Sequence, residues 1–354
     1  SLPFRQFWTQ VDSSWPLVDS LLYRQPIGGL SRLYHWPGRN PGLRPILLVA
    51  HIDVVPAEAA DWTHPPFSGA LAEDHLWGRG ALDDKVSCAA LLEAVETLLR
   101  KGYQPQRSVY LAFGHDEESG GYEGAARIAG HLREKGLRFE YVLDEGSLVV
   151  EDALEAVARP VALIGLAEKG FATYTLSVQL PEAGHSSMPP PQTAVGILAA
   201  AVARLEAAPF PSRIDGAVAE FFDYVGPEMC LPERALFANR WLFGGLLRRQ
   251  LAARPAANAM IRTTTAVTMI RGGIRENVLP SRAAAKVNVR ILPGESVESV
   301  QARLRETIAD ERVSVQVSPE AGGVAEPSPV SPSDGFGYRV LEQTIRQHFT
   351  EAVV

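Results

Sequence analysis

Three short apolar runs, each ending in acidic or imidazole side chains, constrain this chain more than any other feature. They are Pro45 to Ala50 (PILLVA), Ser108 to Phe113 (SVYLAF) and Phe139 to Leu143 (FEYVL). Their length and continuous apolar character predict buried strands. Helix-like stretches lie between them, Val86 to Arg100 with apolar residues at helical spacing and Gly124 to Lys135 less clearly so. Strands alternating with helices predict a doubly wound parallel sheet. In such sheets ligands bind beyond the carboxyl ends of the strands. There the first run continues into His51-Ile52-Asp53, the second into His115-Asp116-Glu117-Glu118 and the third into Asp144-Glu145. A Gly-containing loop, Gly78-Arg79-Gly80-Ala81-Leu82-Asp83-Asp84-Lys85, falls between the first two and opens a helix.

Each cluster has a plain structural reading. Asp83 or Asp84 could cap the helix beginning near Val86, Glu117 and Glu118 could be solvated charges at a helix start, and His51 could be a satisfied strand-end histidine. Taken together, those readings need several coincidences at one sheet edge. Histidine plus carboxylates without thiolates suits Zn²⁺, Mn²⁺ or Co²⁺ better than a cysteine-built structural zinc site. Two metals about 3.5–4 Å apart can share a carboxylate and activate a water. Of Glu117 and Glu118, one could ligate while the other acts as general base. Asp53, two residues from His51 along an extended chain, suits a partner that orients the imidazole.

The pattern changes near Gly170. Phe171 to Leu180 alternates apolar and polar residues, and a helix candidate, Thr193 to Ala208, follows. A Pro- and aromatic-containing stretch spans about 209–262. Then come strand candidates Thr265 to Ile270 and Ala283 to Ile291, helix candidate Ser296 to Ala309 and strand candidate Val313 to Val317. This β-α-β-β-α-β order predicts a ferredoxin-like domain with a helical insertion. The Pro/Ser/Gly-rich stretch Ser318 to Phe336 reads as a connection back to the first domain. The expected organisation is a catalytic domain over 1–170, a second domain over 171–318, and a return to the first over 319–354.

Composition excludes several classes. With 34 Lys+Arg against 41 Asp+Glu the net charge is −7, which lacks the basic surplus that nucleic-acid binding needs. No run approaches the roughly 18 apolar residues of a membrane span, and no basic-then-apolar leader opens the chain. Cys88 and Cys230 allow at most one disulfide and fit a reducing compartment. A cytoplasmic protein without membrane or nucleic-acid partners is the expectation.

Three motifs carry a family resemblance: His51-Ile52-Asp53-Val54-Val55-Pro56, Trp77-Gly78-Arg79-Gly80-Ala81-Leu82-Asp83-Asp84-Lys85 and Gly114-His115-Asp116-Glu117-Glu118-Ser119-Gly120-Gly121. In this order they resemble the dinuclear-zinc aminoacylase/carboxypeptidase S family, which also includes acetylornithine deacetylases, desuccinylases and glutamate carboxypeptidases. Trp62-Thr63-His64-Pro65-Pro66-Phe67 is most similar to its carboxypeptidase S and N-acyl-amino-acid hydrolase branch. The resemblance implies a zinc-peptidase-like α/β catalytic domain with a doubly wound mixed sheet and an inserted ferredoxin-like dimerisation lid. It implies two zinc ions per subunit, with Mn or Co as alternatives. His51 would bind one metal, Asp83 would bridge, Glu118 would bind the other, and Glu117 would be the general base. A further carboxylate ligand falls at Asp144-Glu145, with Glu145 preferred and Asp144 kept. The lid motif Gly184-His185-Ser186-Ser187 matches a histidine that reaches the partner subunit's site in a homodimer and stabilises the oxyanion. Asn277 and Arg290 match positions that hold a substrate carboxylate.

The implied reaction is hydrolysis of a peptide or N-acyl amino acid by a metal-activated water. The alternatives are a dipeptidase that needs a free amine and a non-catalytic dimeric binding protein, which would have no use for a general base. Relatives of this kind also supply a last histidine ligand from a Gly-Thr-Asp-like motif. Here the chain stops at Val354, and His348, inside helix candidate Tyr338 to Phe349, lacks that motif. The sequence therefore reads as C-terminally incomplete, with that ligand beyond residue 354 and the activity of this chain open.

Overall fold

A computed structural model describes residues 2–146, 148–152, 154, 156–318 and 323–354. Residues 319–322, within the expected connection, lie outside the described residues. The chain divides into two compact units, Ser1–Gly146 and Ser147–Val354.

The first unit is built on a five-stranded mixed sheet. In spatial order its strands are Tyr23–Ile27, Ser31–Trp36, Val109–Gly114, Ile46–His51 and Val142–Leu143. The last three run parallel, where the apolar runs place them, while Ser31–Trp36 pairs antiparallel with both its neighbours. The antiparallel hairpin makes the sheet mixed, as the family resemblance implies, where strand–helix alternation alone predicts a parallel one. Gly28 and Gly29 turn the hairpin at φ +58° and +84°, a Gly-Gly signal of the type that favours such turns. Because strand side chains alternate, Leu111 and Phe113 enter one core with Trp8, Val18 and Leu92. Tyr110 and Ala112 enter the other with Ile128 and Leu132. Helices Leu2–Ser14, Pro16–Leu21 and Lys85–Arg100 thus cover one face, and Ala125–Glu134 the other.

The second unit contains a four-stranded antiparallel sheet ordered Thr264–Gly272, Arg282–Ile291, Gly170–Gln179 and Val313–Val317. With helices Ala194–Ala207 and Val297–Ile308 it has the β-α-β-β-α-β order and strand adjacency of a split βαβ, ferredoxin-like domain. Every second residue of the two central strands faces the helices: Tyr174, Leu176 and Val178 from one, Ala285, Val287 and Val289 from the other. Both helices begin with a capping hydroxyl, Thr193 accepting from Gly196 N–H and Ser296 from Ser299 N–H. Four helices, Gly216–Val225, Leu231–Ala238, Arg240–Ala252 and Pro255–Ile261, occupy the predicted insertion.

The core of this second sheet and its two helices depends on dense packing and the helix caps on single hydrogen bonds. Leu198→Ala, at a residue 1% exposed, is therefore expected to destabilise the second unit by about 2–5 kcal/mol. Thr193→Ala is expected to cost about 1 kcal/mol. Denaturant unfolding followed by far-UV circular dichroism checks both; equal effects would contradict this packing.

Candidate metal centre

Parallel pairing aligns the carboxyl ends of the sheet. His51 lies opposite Gly114, and Ile52 N–H donates to Gly114 O at 2.9 Å. The chain leaving each strand therefore arrives at one place. His51 is almost fully buried, at 3% exposure. Its Nε2 lies 2.9 Å from Asp83 Oδ1 and 3.3 Å from Glu145 Oε1, and its Nδ1 faces Asp53 Oδ1 at 3.3 Å. Burial opposes a charged imidazole, but Asp53, Asp83 and Glu145 outweigh it and raise His51 to about 10.

Two trios offer ligand atoms that lie within 4.8 Å of one another: His51, Asp83 and Glu118, and His51, Asp84 and Glu145. The carboxylates crowd each other. Desolvation first, then Asp84, Asp83 and Asp144, push Glu145 up to about 7 against the pull of His51. A cluster of oxygen donors around one imidazole, with its carboxylates held at a repulsive spacing, fits a divalent cation of the zinc, manganese or cobalt class.

Sequence reasoning placed Asp84 as a possible helix cap. The helix does begin at Lys85, but Asp84 makes no side-chain cap. Its carboxylate is 1% exposed and Oδ2 accepts from His51 N–H at 3.3 Å. The Asp83–Asp84 peptide is cis. Gly80, at φ +85°, lies so close to Val54 Cγ1 and Lys85 Nζ that a Cβ there would meet them at 2.4 and 2.7 Å. Only glycine fits this turn of the loop.

Asp53 ties two of these segments together. Its Oδ1 accepts from Glu117 N–H and its Oδ2 from Glu118 N–H, each at 3.1 Å. Desolvation would raise its pKa, but His51 and these two amides hold it below the usual carboxylate range. Glu117 and Glu118 begin a 3₁₀ turn, Glu117–Ser119, so their side chains leave the backbone in different directions. Glu118 joins the ligand trio. Glu117 belongs to neither trio, and desolvation, reinforced by Glu118, Asp53 and Asp83, raises its carboxyl group. The other half of that run has structural work. Asp116 accepts from Glu123 and Gly124 N–H at 2.7 and 2.8 Å, at the start of the Ala125–Glu134 helix, and His115 Nδ1 meets Ser31 Oγ at 2.6 Å. Asp144 accepts from Glu145 N–H at 3.0 Å and enters neither trio.

The remaining predicted residues lie in the second unit. Gly184–His185 pairs antiparallel with Val278–Leu279, and Ser186 N–H donates to Asn277 O at 3.1 Å. This brings the His185 motif against Asn277. His185 Nδ1 accepts from Ser187 N–H at 3.2 Å and meets Ser187 Oγ at 2.9 Å. That leaves Nε2 to carry the proton of the neutral ring. Arg290 is elsewhere, near the far end of Arg282–Ile291, its guanidinium 5.4 Å from the Phe171 ring centre. Eight residues of strand, roughly 26 Å at about 3.3 Å each, separate it from Arg282, so the structure does not bring Arg290 and Asn277 together.

The model of peptidase family M20/M25/M40 matches residues 47–352. The chain belongs to this family. Among its relatives, the N-fatty-acyl-amino acid synthase/hydrolase PM20D1 of Xenopus tropicalis is 41% identical over 351 residues, covering 98% of this chain and 67% of the relative. Carboxypeptidase S of Saccharomyces cerevisiae is 32% identical over 392 residues, with 99% and 66% covered. The chain thus spans about two thirds of the length of these relatives. The M20 metallo-carboxypeptidase Sso-CP2 of Sulfolobus solfataricus shares the fold with a TM-score of 0.64 at 20% identity, over 97% of this chain and 79% of that one. Family membership makes this M20 chain a metal-dependent hydrolase of amide or peptide bonds, in the branch that its WTHPPF stretch resembles.

The Asp53 clamp yields a direct test. Asp53→Asn keeps the shape and replaces one acceptor oxygen with a donor facing His51 or a backbone amide. It is expected to weaken zinc binding by about 10–100-fold, read by calorimetric titration of the metal-stripped chain; unchanged affinity would contradict the clamp.

Proposed function

We propose that this chain hydrolyses N-acyl amino acids, releasing the amino acid and the acyl carboxylate, with two zinc ions held by His51, Asp83, Glu118 and Glu145. The convergence of His51, both trios and Glu117 on one sheet edge carries this reading. Identity to N-fatty-acyl-amino acid and carboxypeptidase S relatives supports the substrate class. Zinc bound there supplies Lewis acidity towards the scissile carbonyl and the attacking water.

Glu117 takes the proton from that water. Outside both ligand trios, its carboxylate is free to do so, and its raised pKa makes it a better base than an ordinary glutamate. Glu117 then returns the proton to the departing amine, so the amino acid leaves neutral at nitrogen and the acyl product leaves as its acid, which loses the water's second proton to solvent to give the carboxylate. Asp53 keeps His51 in the orientation that points Nε2 at Asp83 and Glu145. Asp84, which receives His51 N–H, is a further carboxylate of the second trio.

His185 offers an Nε2–H to the oxyanion of the tetrahedral intermediate, and Asn277 accompanies it. Arg290 grips the substrate carboxylate. Because a strand's length separates Arg290 from Asn277, one lid does not put both on one small substrate. A homodimer resolves this, with His185 and Asn277 given by one subunit and Arg290 by the other.

The test is a paired panel of N-acyl amino acids and free-amine dipeptides, with added Zn²⁺ and with chelator. Zinc-dependent, chelator-sensitive turnover of the blocked substrates is expected; preference for free-amine dipeptides would replace this reading with a dipeptidase. Glu117→Ala should lower kcat by about 10²–10⁴-fold with zinc content unchanged. If the histidine acts across a dimer, mixing Glu117→Ala with His185→Ala chains should restore part of the lost activity. Mixed dimers that form without any recovery would exclude the shared site.

A further inference from the structure

The run His115-Asp116-Glu117-Glu118 holds two residues that the proposed chemistry leaves unused. One of them, Asp116, closes the segment after it into a loop. Its Oδ2 and Oδ1 accept from Glu123 and Gly124 N–H at 2.7 and 2.8 Å, and its carbonyl accepts from Ser119 and Gly121 N–H at 3.1 and 2.7 Å. Such a loop keeps its own shape but needs anchors outside itself to hold Glu117 and Glu118 in place. Asp53 supplies one of them through the two backbone amides.

The Gly28-Gly29 hairpin supplies another, through His115. Ser31 begins the strand Ser31–Trp36, and the pairing of Arg32 with Phe113 brings the hairpin tip to the end of Val109–Gly114. Ser31 is 1% exposed, and its Oγ lies 2.6 Å from His115 Nδ1, on the residue two before Glu117. A hydroxyl and an imidazole nitrogen bond at this distance whichever of the two donates. The tip also reaches the far end of the closed loop. A Cβ on Gly28 would collide with Glu123 O, and one on Gly124 would crowd Ser31 Oγ and Asp116 Oδ1. Helix Leu2–Ser14 holds this assembly from outside with two residues one turn apart, which share a helix face. Trp8 Nε1 donates to Leu30 O at 2.7 Å, and the Phe4 ring stands at 84° to the His115 ring, centres 6.1 Å apart.

We propose that Ser31 is a positioning residue of the metal centre. Its hydroxyl fixes His115, and through His115 it fixes the turn that brings Glu118 into the ligand trio and leaves Glu117 outside it. That Glu117 acts as the base rests on the reading under Proposed function; the placement of Glu118 beside His51 and Asp83 does not.

The experiment compares the full chain with Ser31→Ala, His115→Leu, the double variant and His115→Asn, whose amide offers a polar atom where Nδ1 stood. Far-UV circular dichroism checks that each variant is folded. Calorimetric titration of the metal-stripped chains with Zn²⁺ reads the position of Glu118, and kcat and KM on an N-acyl amino acid read that of Glu117. Ser31→Ala is expected to weaken zinc binding about tenfold and to lower kcat about tenfold with KM within twofold, because Glu117 acts on the water and not on substrate binding. His115→Leu should do the same, the double variant should be no worse than either single one, and His115→Asn should stay within threefold of the parent. A folded Ser31→Ala chain with zinc affinity and kcat within twofold overturns the proposal, as does a double variant whose losses multiply. If Ser31→Ala does not fold, the two His115 variants decide: equal zinc affinities for His115→Asn and His115→Leu overturn it. Weakened zinc binding by Ser31→Ala, in a chain whose parent hydrolyses no N-acyl substrate, would sink the hydrolase reading and leave the positioning role standing.

Discussion

Asp53 uses both carboxylate oxygens on the backbone amides of Glu117 and Glu118, and one of them also faces His51 Nδ1. The metal-centre geometry depends on this junction. It joins the end of one parallel strand to the turn that follows its neighbour, and it holds the imidazole so that Nε2 meets Asp83 and Glu145. An apolar residue here would leave two amides without their acceptor and the ring without a fixed rotamer. The carboxylate can stay ionised among so many others because those two amides and His51 offset its desolvation.

The second unit shows the same economy without a carboxylate. Ser187 gives its N–H to His185 Nδ1 and thereby fixes which ring nitrogen carries the proton. The two-residue ladder between Gly184–His185 and Val278–Leu279 fixes the position of that ring relative to Asn277. Thus one histidine in this chain is oriented by a carboxylate and favours the charged form. The other is oriented by a serine and needs no charge to donate. For the first, a bound metal would take the place of the proton on Nε2, since only the deprotonated nitrogen ligates; the second keeps its Nε2 proton to steady an anion.

Much of this was legible in the residues because parallel strands force their carboxyl ends together. Reading where PILLVA, SVYLAF and FEYVL stop was enough to gather His51, Glu117, Glu118 and Asp144-Glu145 at one edge. The β-α-β-β-α-β order in the second unit was equally clear, since its one-sided strands alternate and its helices start on Thr193 and Ser296. Other features were hidden for identifiable reasons. Residues 23–36 carry Pro26 and no clean alternation, so the Gly28-Gly29 turn was the sole hairpin signal. Asp84 looks like any helix cap until its carboxylate is seen buried under His51 N–H. Asn277 and Arg290 sit 13 positions apart in the sequence, a spacing that says nothing about distance until the strand register places them at opposite ends.

The acidic centre also explains why the rest of the first unit is so conventional. Five carboxylates, Asp53, Asp83, Asp84, Glu118 and Glu145, share the surroundings of one imidazole, and Glu145, pushed up to about 7 by desolvation and its acidic neighbours, reports a crowding that a bound cation would relieve. Two apolar layers, one on each face of the sheet, oppose that repulsion with packing. The division of labour follows from strand geometry: from Leu47 to Ala50 and from Val109 to Phe113 every side chain enters one of the two cores, and the first positions free of core packing are those where the strands end. Charge that the core cannot hold accumulates there, and a site for metal chemistry at that edge is what such a sheet can support without giving up its interior.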